Sequence, residues 1–321
     1  MYGSLRCATN DPGKRRHTPI LDSALRIEVH GDMEVIRREF VLRARKRGLE
    51  LGKRTHIMGV VNVTPDSFSD GGRYLDRDRA VEYALRLVEE GADIVDIGGE
   101  STRPGSFRVE VGVEIDRVIP VVEAIRSASS VFISVDTYKA PVAAAALESG
   151  ADIINDVSGL RFDPQLAEVV ARYEAGLVLM HMRGEPATMH LLPPSPDIFR
   201  EVVEGLQVSV NQSDIAGIPR DRILLDPGLG FGKNAEENLT LMRRLRGLQE
   251  MDFPLLLGPS RKRFIGAVLN QPVDRRLWGT VAACAFGILQ GVHILRVHDV
   301  APIRQVSDMI DALLWDGRVN D

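Results

Sequence analysis

The stretches GADIVDIGG (91–99) and GADIINDVS (150–158) share one pattern: a glycine, a short apolar run and then a polar residue. Two further stretches align with them, GLVLMHMRG (176–184) and GVHILRVHD (291–299). Each glycine suits the left-handed backbone at the C-terminus of a helix, where a side chain would be strained. We therefore expect each stretch to be a strand that directly follows a helix.

The aligned stretches also agree in which strand face is polar. The third residue after each glycine is apolar, and the fifth is polar. Residues two apart share one face of a strand, so this face starts apolar and ends polar. In a closed barrel, this predicts a packed interior below a polar C-terminal mouth, where barrel active sites lie. The apolar positions are Ile94, Ile153, Leu179 and Ile294, and the polar ones are Asp96, Asn155, His181 and Arg296.

Strand-like and helix-like segments alternate from residue 57 onward. Eight such strand and helix pairs predict an α/β protein with a (β/α)8 TIM barrel, and a doubly wound open sheet is the alternative. Amphipathic stretches such as DRDRAVEYALRLVEEG (76–91) supply the helices. The predicted strands are 57–63, 93–98, 131–136, 152–157, 176–182, 222–226, 254–259 and 292–298.

The N-terminal part differs from the barrel. Residues 1–36 read as a loosely structured extension with one short strand at 25–29, and residues 37–321 as a single barrel domain. Residues 40–54 alternate at period two around a turn near 46–48, which predicts a β-hairpin. Its Arg and Lys residues suit a solvated strand edge or, alternatively, an anionic partner. The apolar face of the hairpin comprises Phe40, Leu42, Ala44, Leu49 and Leu51.

Composition excludes several classes of protein. The chain has 321 residues, of which 44% are hydrophobic and 26% charged, as in a globular protein with an ample core. A net charge of −5 argues against a nucleic-acid partner. The two cysteines, Cys7 and Cys284, form no disulfide framework or metal motif. No apolar run reaches membrane-spanning length and no signal peptide is evident, so we expect a cytoplasmic protein with no membrane partner.

The predicted strands end in hydrogen-bonding side chains. Carboxylates beside cations suit a flat heterocycle that carries donors and acceptors, because a carboxylate accepts two parallel hydrogen bonds from an amidine-like edge. Arg296 and His298 form a cationic pair suited to a phosphate, and Asn62 offers a neutral oxygen to a Mg²⁺ that bridges phosphate oxygens. The acceptors are Asp96, Asp136 and Asp226, and the donors are Lys262 and Arg296.

Two further features belong to the same mouth. Ser260, in GPSRKRFIG (258–266), precedes a predicted helix, so it marks an anion site at the helix N-terminus or simply caps the helix. The long loops 64–75 and 99–112 are predicted to close over the mouth as lids.

Eight motifs occur in an order that closely resembles dihydropteroate synthases, over residues 55 to 318. They are MGVVNVTPDSFSDGG, DIGGESTRPG, ISVDT, INDVSG, LMHMRG, LLDPGLGFGKN, SRKRFIG and RVHDV. The resemblance implies a (β/α)8 barrel that condenses 6-hydroxymethyl-7,8-dihydropterin pyrophosphate with 4-aminobenzoate. The products are 7,8-dihydropteroate and pyrophosphate, the course is SN1-like, and Mg²⁺ is the cofactor. It also implies a homodimer.

The resemblance also implies residue roles. The pterin contacts are Asp136, Asn155, Asp226, Lys262 and Arg296, of which Lys262, Arg296 and Asp136 are catalytic. The pyrophosphate contacts are Asn62, Thr102, Arg296 and His298, and Asn62 also contacts the metal. The aminobenzoate contacts are Thr102, Arg103, Pro104, Phe231 and Ser260, and the first lid carries Asp66 and Phe68. His181 is expected to be structural.

Two alternatives stay open. A pterin-binding methyltransferase of the same barrel type would share the pterin contacts but has no need of SRK (260–262) or RVHDV (296–300). A non-catalytic pterin-binding protein would lack Asn62, Lys262, Arg296 or His298, all of which are present. The segment SFRVEVGVEIDRV (106–118) departs from the more polar helix start usual in the family.

Overall fold

A computed structural model describes residues 37–64, 73–102 and 105–314, and for residues 73–76 only the backbone. These residues belong to one compact unit, Val35–Asp321. The predicted N-terminal extension, including its strand at 25–29, lies outside the described residues, as do Asp66, Phe68, Arg103 and Pro104. No helix in the described ranges is long and apolar enough to cross a membrane.

Eight parallel strands form the barrel, and an antiparallel hairpin precedes them. Each barrel strand pairs with the next along the chain, and β10 pairs with both β3 and β9. A parallel bridge between Leu225 and Leu255 closes the ring, so the closed barrel is confirmed and the open sheet is excluded. The hairpin strands are β1 (Phe40–Ala44) and β2 (Arg47–Leu51). The barrel strands are β3 (His56–Asn62), β4 (Ile94–Gly98), β5 (Phe132–Asp136), β6 (Ile153–Asp156), β7 (Gly176–Met180), β8 (Ile223–Asp226), β9 (Leu256–Leu257) and β10 (Ile294–Val297).

Helices connect the strands and surround the barrel. One helix follows each barrel strand except β9, after which the short α7 precedes α8. The helices are α1 (Arg73–Glu89), α2 (Val111–Ala128), α3 (Ala140–Glu148), α4 (Gln165–Tyr173), α5 (Ile198–Ile215), α6 (Ala235–Arg244), α7 (Arg263–Leu269), α8 (Leu277–Leu289) and α9 (Val300–Leu314).

The barrel interior is built in layers, because alternate residues of every strand point inward. The lowest described layer is entirely apolar, and the hairpin covers it from below with Leu42, Ala44 and Leu51. Two residues further along each strand, the inward positions become mostly polar. The apolar layer comprises Met58, Ile94, Phe132, Ile153, Val178, Leu224, Leu256 and Ile294. The next positions are Val60, Asp96, Ser134, Asn155, Met180, Asp226, Gly258 and Arg296.

The repeat pattern is wrong for one of its four stretches. Gly91, Gly150 and Gly291 have the expected positive φ, between 90° and 111°. Gly176 instead begins β7 and pairs with Ile153, so the inward apolar residue of this stretch follows its glycine by two residues rather than three. In this register Val178, rather than Leu179, faces the interior, and His181 lies beyond the strand.

The hairpin is confirmed, but its arginines are not simply solvated. The turn lies at Arg45 and Lys46, and Arg45 has a positive φ of 56°. The Arg45 side chain donates to the backbone carbonyls of Leu147 and Ala151. Arg47 bonds Asp152 at 3.0 Å, and the guanidinium lies 3.7 Å from the centre of the Phe132 ring. These arginines therefore attach the hairpin to the end of the barrel opposite the mouth.

Candidate active site

The centre of the barrel mouth holds an arginine shared by two carboxylates. Arg296 Nε donates to Asp96 Oδ2 at 2.6 Å, and a terminal nitrogen of the same guanidinium donates to Asp136 Oδ2 at 2.8 Å. The three residues come from β10, β4 and β5, so the contact spans the barrel interior. Asp96 is fully buried and Asp136 nearly so, and one cation between two buried anions limits the cost of removing them from water.

Asn155 also orients the Asp96 carboxylate. Asn155 Nδ2 donates to Asp96 Oδ2 at 3.0 Å, so this oxygen accepts from both Arg296 and Asn155. The other oxygen, Asp96 Oδ1, is buried and has no hydrogen-bond partner among the described residues, and the same holds for Ser134 Oγ. An unpaired buried acceptor costs free energy, so these atoms mark a place where a polar ligand is favoured.

Burial and neighbouring charges set the protonation of this cluster. Burial raises the pKa of Asp136; the Arg296 guanidinium opposes this rise and the Asp96 carboxylate adds to it. Burial disfavours the charge of Arg296, but Asp96 and Asp136 raise the pKa of Arg296 above its ordinary value. Arg296 therefore stays charged, and the Asp136 carboxylate binds a proton more readily than an exposed aspartate does.

A second cation, Lys262, follows β9, the strand next to β10, and lies above an aromatic ring. Lys262 Nζ is 4.1 Å from the centre of the buried Phe231 ring, a favourable cation–π contact. Burial and the nearby Arg296 lower the pKa of Lys262 to about 8, while Asp226 and Asp136 oppose the shift. Lys262 is therefore a cation that loses its charge more readily than an exposed lysine.

Asp226 ends β8 and is held by the loop that follows. Its Oδ1 accepts from the backbone N–H of Gly228 at 2.7 Å. Burial raises the pKa of Asp226, and the Gly228 N–H, Lys262 and Arg296 counteract it. Gly228 has φ of 68°, and a Cβ there would lie 1.9 Å from the carbonyl oxygen of His181, so only glycine fits.

A buried lysine closes this loop. Lys233 Nζ donates to the carbonyl oxygens of His181, Gly228 and Phe231 at 2.9 to 3.1 Å. Burial lowers the pKa of Lys233 to about 7. The motif GFGKN (230–234) therefore shapes the loop that carries Phe231, and sequence reasoning did not find this role for Lys233, because its three acceptors meet only in the folded loop.

Ser260 and His298 contact each other, which corrects two predictions. Ser260 Oγ lies 3.0 Å from His298 Nδ1 and accepts from the His298 backbone N–H at 3.2 Å. Ser260 is not a helix cap, because Lys262 is the N-cap of α7 and no side chain caps that helix. Burial and the charges of Arg296 and Arg261 lower the pKa of His298 to about 3. The predicted cationic pair is therefore wrong, since His298 is neutral at pH 7.

Asn62 and Thr102 stand at the ends of the first two barrel strands. Asn62 is the last residue of β3 and is paired in register with Gly98, while Thr102 follows β4 by four residues. Both are partly exposed. No three His, Cys, Asp or Glu side chains form a metal-binding group within the described ranges. The oxygen chemistry of Asn62 fits Mg²⁺ when a diphosphate supplies further oxygens, since Mg²⁺ commonly takes few protein ligands.

An apolar wall borders the polar cluster. The inward-facing Met180 belongs to it, together with Phe231 under Lys262. A flat ring is favoured here, because its faces can contact apolar side chains while its edge meets the polar layer. The wall comprises Tyr138, Val157, Met180, Met182, Met189 and Phe231.

The loop after β4 reaches across to the loop after β7. The Gly105 backbone N–H donates to the Pro186 carbonyl at 2.9 Å, and Arg108 pairs with Glu185 at 3.2 Å. This part of the predicted second lid therefore crosses the ends of β5 and β6. Residues 65–72 of the predicted first lid, 64–75, lie outside the described residues.

The predicted site residues that the structure describes lie at one mouth, while Asp66, Phe68, Arg103 and Pro104 lie outside the described residues. His181, which was expected to be structural, lies apart from them. His181 packs against α5, where a Cβ on Gly205 would touch its ring at 2.5 Å. Burial lowers the pKa of His181 to about 2, so it is neutral. Asp96, in contrast, was absent from the residue roles implied by the resemblance, although its place at a strand end signalled it.

Comparison with known proteins assigns the class to which this geometry belongs. The family model described as pterin binding enzyme matches residues 58–298, so the chain is a member of the pterin-binding enzymes. The dihydropteroate synthase of Synechocystis is 46% identical over 263 residues, covering 82% of this chain and 91% of that protein. The chain therefore belongs to the dihydropteroate synthase family and is an enzyme of folate biosynthesis.

Solved structures agree in fold and ligand type. Dihydropteroate synthase from Xanthomonas albilineans with 4-aminobenzoic acid has a TM-score of 0.80 and 42% identity, covering 86% of this chain and 98% of that one. The same enzyme in complex with 7,8-dihydropteroate has a TM-score of 0.77 and 40% identity, covering 85% and 98%. This similarity confirms the (β/α)8 barrel.

Proposed function

We propose that this chain transfers the pterin-methyl group of 6-hydroxymethyl-7,8-dihydropterin pyrophosphate to the amino group of 4-aminobenzoate. The bond between the methylene carbon and the diphosphate oxygen breaks, a carbon–nitrogen bond forms, and the amine loses one proton. The products are 7,8-dihydropteroate and pyrophosphate. The observation that carries the proposal is the buried cluster in which Arg296 joins Asp96 and Asp136.

The pterin ring is proposed to bind edge-on to the polar layer. Asp226 offers a buried carboxylate to the amidine-like edge of the ring, which suits two parallel hydrogen bonds. Asn155 and Lys262 contact the remaining ring donors and acceptors, and Asp136 lies beside Arg296. The unpaired Asp96 Oδ1 gives this part of the mouth a free acceptor for a ring N–H. Phe231 and Met180 contact the faces of the ring.

The catalytic roles follow from where charge develops. As the carbon–oxygen bond breaks, the pterin-methyl carbon becomes positive and the diphosphate gains negative charge. The Asp136 carboxylate stabilises the cation, and Arg296 stabilises the departing diphosphate. Lys262 holds the ring in place for this step. Preorganised charges of this kind usually contribute more to catalysis than any other single effect.

The diphosphate is proposed to bind Arg296, His298, Asn62 and Thr102. Because His298 is neutral, it contributes a hydrogen bond and no charge. Asn62 would hold Mg²⁺ together with diphosphate oxygens, and the bound ion would neutralise charge on the leaving group. The ion depends on the substrate for most of its ligands.

4-Aminobenzoate is proposed to bind beside Thr102, Arg103, Pro104, Phe231 and Ser260. Among these, Phe231 supplies an apolar surface and Thr102 a hydroxyl. Ser260 is already hydrogen-bonded to His298. Only its remaining hydrogen-bonding capacity is therefore available to the carboxylate of 4-aminobenzoate. The weak aniline nucleophile then needs positioning rather than activation.

Product formation tests the function. Purified protein incubated with the pterin pyrophosphate, 4-aminobenzoate and Mg²⁺ should yield dihydropteroate and pyrophosphate in equal amounts. Folded protein that yields neither product would reject the proposal. Product without any need for Mg²⁺ would reject the role assigned to Asn62. A methyltransferase would instead consume a methyl donor, and a non-catalytic protein would bind the pterin without turnover.

A homodimer is also proposed. On α8 the exposed positions Trp278, Ala282 and Phe286 are spaced by four residues, which places them in one apolar stripe. Met309 and Leu313 add exposed apolar side chains on the neighbouring α9. An apolar surface of this kind is typical of an interface with a second copy. Light scattering should show a dimer, and Trp278→Lys should shift it toward monomer.

Cytoplasmic location stays a prediction.

A further inference from the structure

A buried lysine next to the site bonds three groups from different segments. Lys139 Nζ donates to Glu100 Oε2 at 2.6 Å, to the Val109 carbonyl at 2.5 Å and to Glu114 Oε2. All three ammonium protons are therefore used. Glu100 follows β4, Glu114 is in the first turn of α2, and Lys139 itself is the N-cap of α3.

The Glu100 carboxylate also closes the β4–α2 loop, residues 99–110. Glu100 Oε2 also accepts from the Val109 backbone N–H at 2.7 Å, and Glu100 Oε1 accepts from the Tyr138 hydroxyl at 2.7 Å. Val109 is thus bonded through both its N–H and its carbonyl. The loop is fastened at Glu100 and at Val109, and Thr102 lies two residues after the first of these points.

The position of Lys139 connects two parts of the mouth. Lys139 follows Asp136 by three residues, so its backbone continues from the strand that carries one proposed pterin contact. Its side chain holds the loop that carries Thr102, a proposed contact of both 4-aminobenzoate and the diphosphate. The loop start is also packed tightly, since a Cβ on Gly99 would lie 2.7 Å from Val118. Neither Lys139, Glu100 nor Glu114 has a role in the proposed reaction itself.

We propose that Lys139 is a positioning residue that sets the β4–α2 loop, and with it the aminobenzoate subsite, relative to the pterin subsite. The inference rests on the proposed function, because it names which substrate the loop serves. Two carboxylates around one buried ammonium make the arrangement sensitive to loss of the cation: without it, Glu100 and Glu114 repel each other and release Val109. Small displacements of positioning groups can change rates strongly.

Lys139→Met keeps much of the side-chain length and removes the charge. We expect the KM for 4-aminobenzoate to rise about tenfold, while the Kd for the pterin pyrophosphate changes less, because Thr102 is only one of the contacts proposed for that substrate. Hydrogen exchange of the segment 99–110 should accelerate. The matched control is Arg37→Met, since Arg37 is a buried cation bonded to Thr55 and Asp311 beyond the opposite end of β3. It should lower stability without changing either constant.

A second variant separates positioning from stability. Adding Glu114→Gln to Lys139→Met removes one unpaired buried carboxylate, so we expect it to recover thermal stability but not the aminobenzoate KM. If Lys139→Met does not fold, Glu100→Gln should accelerate exchange in the loop and raise the same KM. An unchanged KM in folded variants, or recovery of KM together with stability, would overturn the inference. Wild-type protein without product would count against the proposed function, and hydrogen exchange would still decide whether Lys139 fastens the loop.

Discussion

Asn155 and Arg296 meet on a single oxygen, Asp96 Oδ2, at 3.0 and 2.6 Å. The two donors come from opposite directions, β6 and β10, so Asp96 fixes the side chains of both. Asp96 is therefore the organising carboxylate of the polar layer, although the residue roles implied by the family resemblance omit it.

Asp96→Asn should lower kcat/KM by about 10²–10³-fold, the size expected for one preorganised electrostatic group. The amide keeps the shape of the carboxylate but loses the charge that holds Arg296 and Asn155. Steady-state kinetics measure the loss, and circular dichroism checks the fold. A variant that is folded and has near wild-type kcat/KM would show that Arg296 is oriented by Asp136 alone.

Lys262 predicts how the rate depends on pH. Its pKa is lowered to about 8, so the cation is lost as pH rises through that value and the rate should fall. Lys262→Ala should cost about 10²–10³-fold at pH 7. In Lys262→Arg the guanidinium keeps its charge, so the alkaline decline should move to higher pH. An identical alkaline limb in wild type and Lys262→Arg would assign the decline to another group.

Asp226→Asn should abolish measurable pterin binding and leave the fold intact. The variant replaces one carboxylate oxygen, an acceptor, by an amide nitrogen, a donor, which then faces the donors of the pterin ring. It also removes the negative charge of the side chain. The Gly228 N–H can still bond the remaining amide oxygen, so the loop is preserved. Calorimetric titration with the pterin pyrophosphate measures binding. Unfolding of the variant would instead identify Asp226 as a structural turn residue.

Asp93, at the opposite end of the barrel, predicts how stability depends on pH. Burial alone would raise the pKa of Asp93, but the neighbouring His56 imidazole and the Arg54 guanidinium lower it to about 2. Because the folded-state pKa is below the unfolded one, the stabilisation is present above about pH 4 and is lost as pH falls toward 2. It amounts to about 2 kcal/mol by linkage.

Asp93→Asn therefore should lower the free energy of urea-induced unfolding by about 2 kcal/mol at pH 7. The difference between wild type and variant should shrink between pH 4 and pH 2. A difference that is independent of pH would mean that Asp93 stabilises through packing and neutral hydrogen bonds, including the one from the Ile57 N–H at 2.8 Å.

The barrel was predictable from sequence because its signals are local. Alternating runs predicted all eight strands, and period two placed Ile94 and Asp96 on one face. The register of β7 was predicted wrongly because Gly176 was aligned with glycines that end helices. Glu174, with φ of 54°, takes the left-handed position there instead, and a glutamate gives no such signal in sequence.

The chemistry of the mouth was predictable only in part. Strand ends identified Asp136, Asn155, Asp226 and Arg296, since parallel strands deliver their ends to one edge. The charge of His298 was not predictable, because it depends on Arg261 and Arg296 approaching the ring in the folded protein. The contacts of Lys139 with Glu100 and Glu114 span 39 and 25 residues and leave no pattern in the sequence.

A crystal structure with a non-reactive pterin diphosphate analogue is the decisive test of the arrangement proposed for the mouth. We predict the ring edge against Asp226, Asn155 and Lys262, a ring face on Phe231, and the diphosphate at Arg296. A ring bound elsewhere, or a diphosphate that contacts neither Arg296 nor His298, would contradict this arrangement.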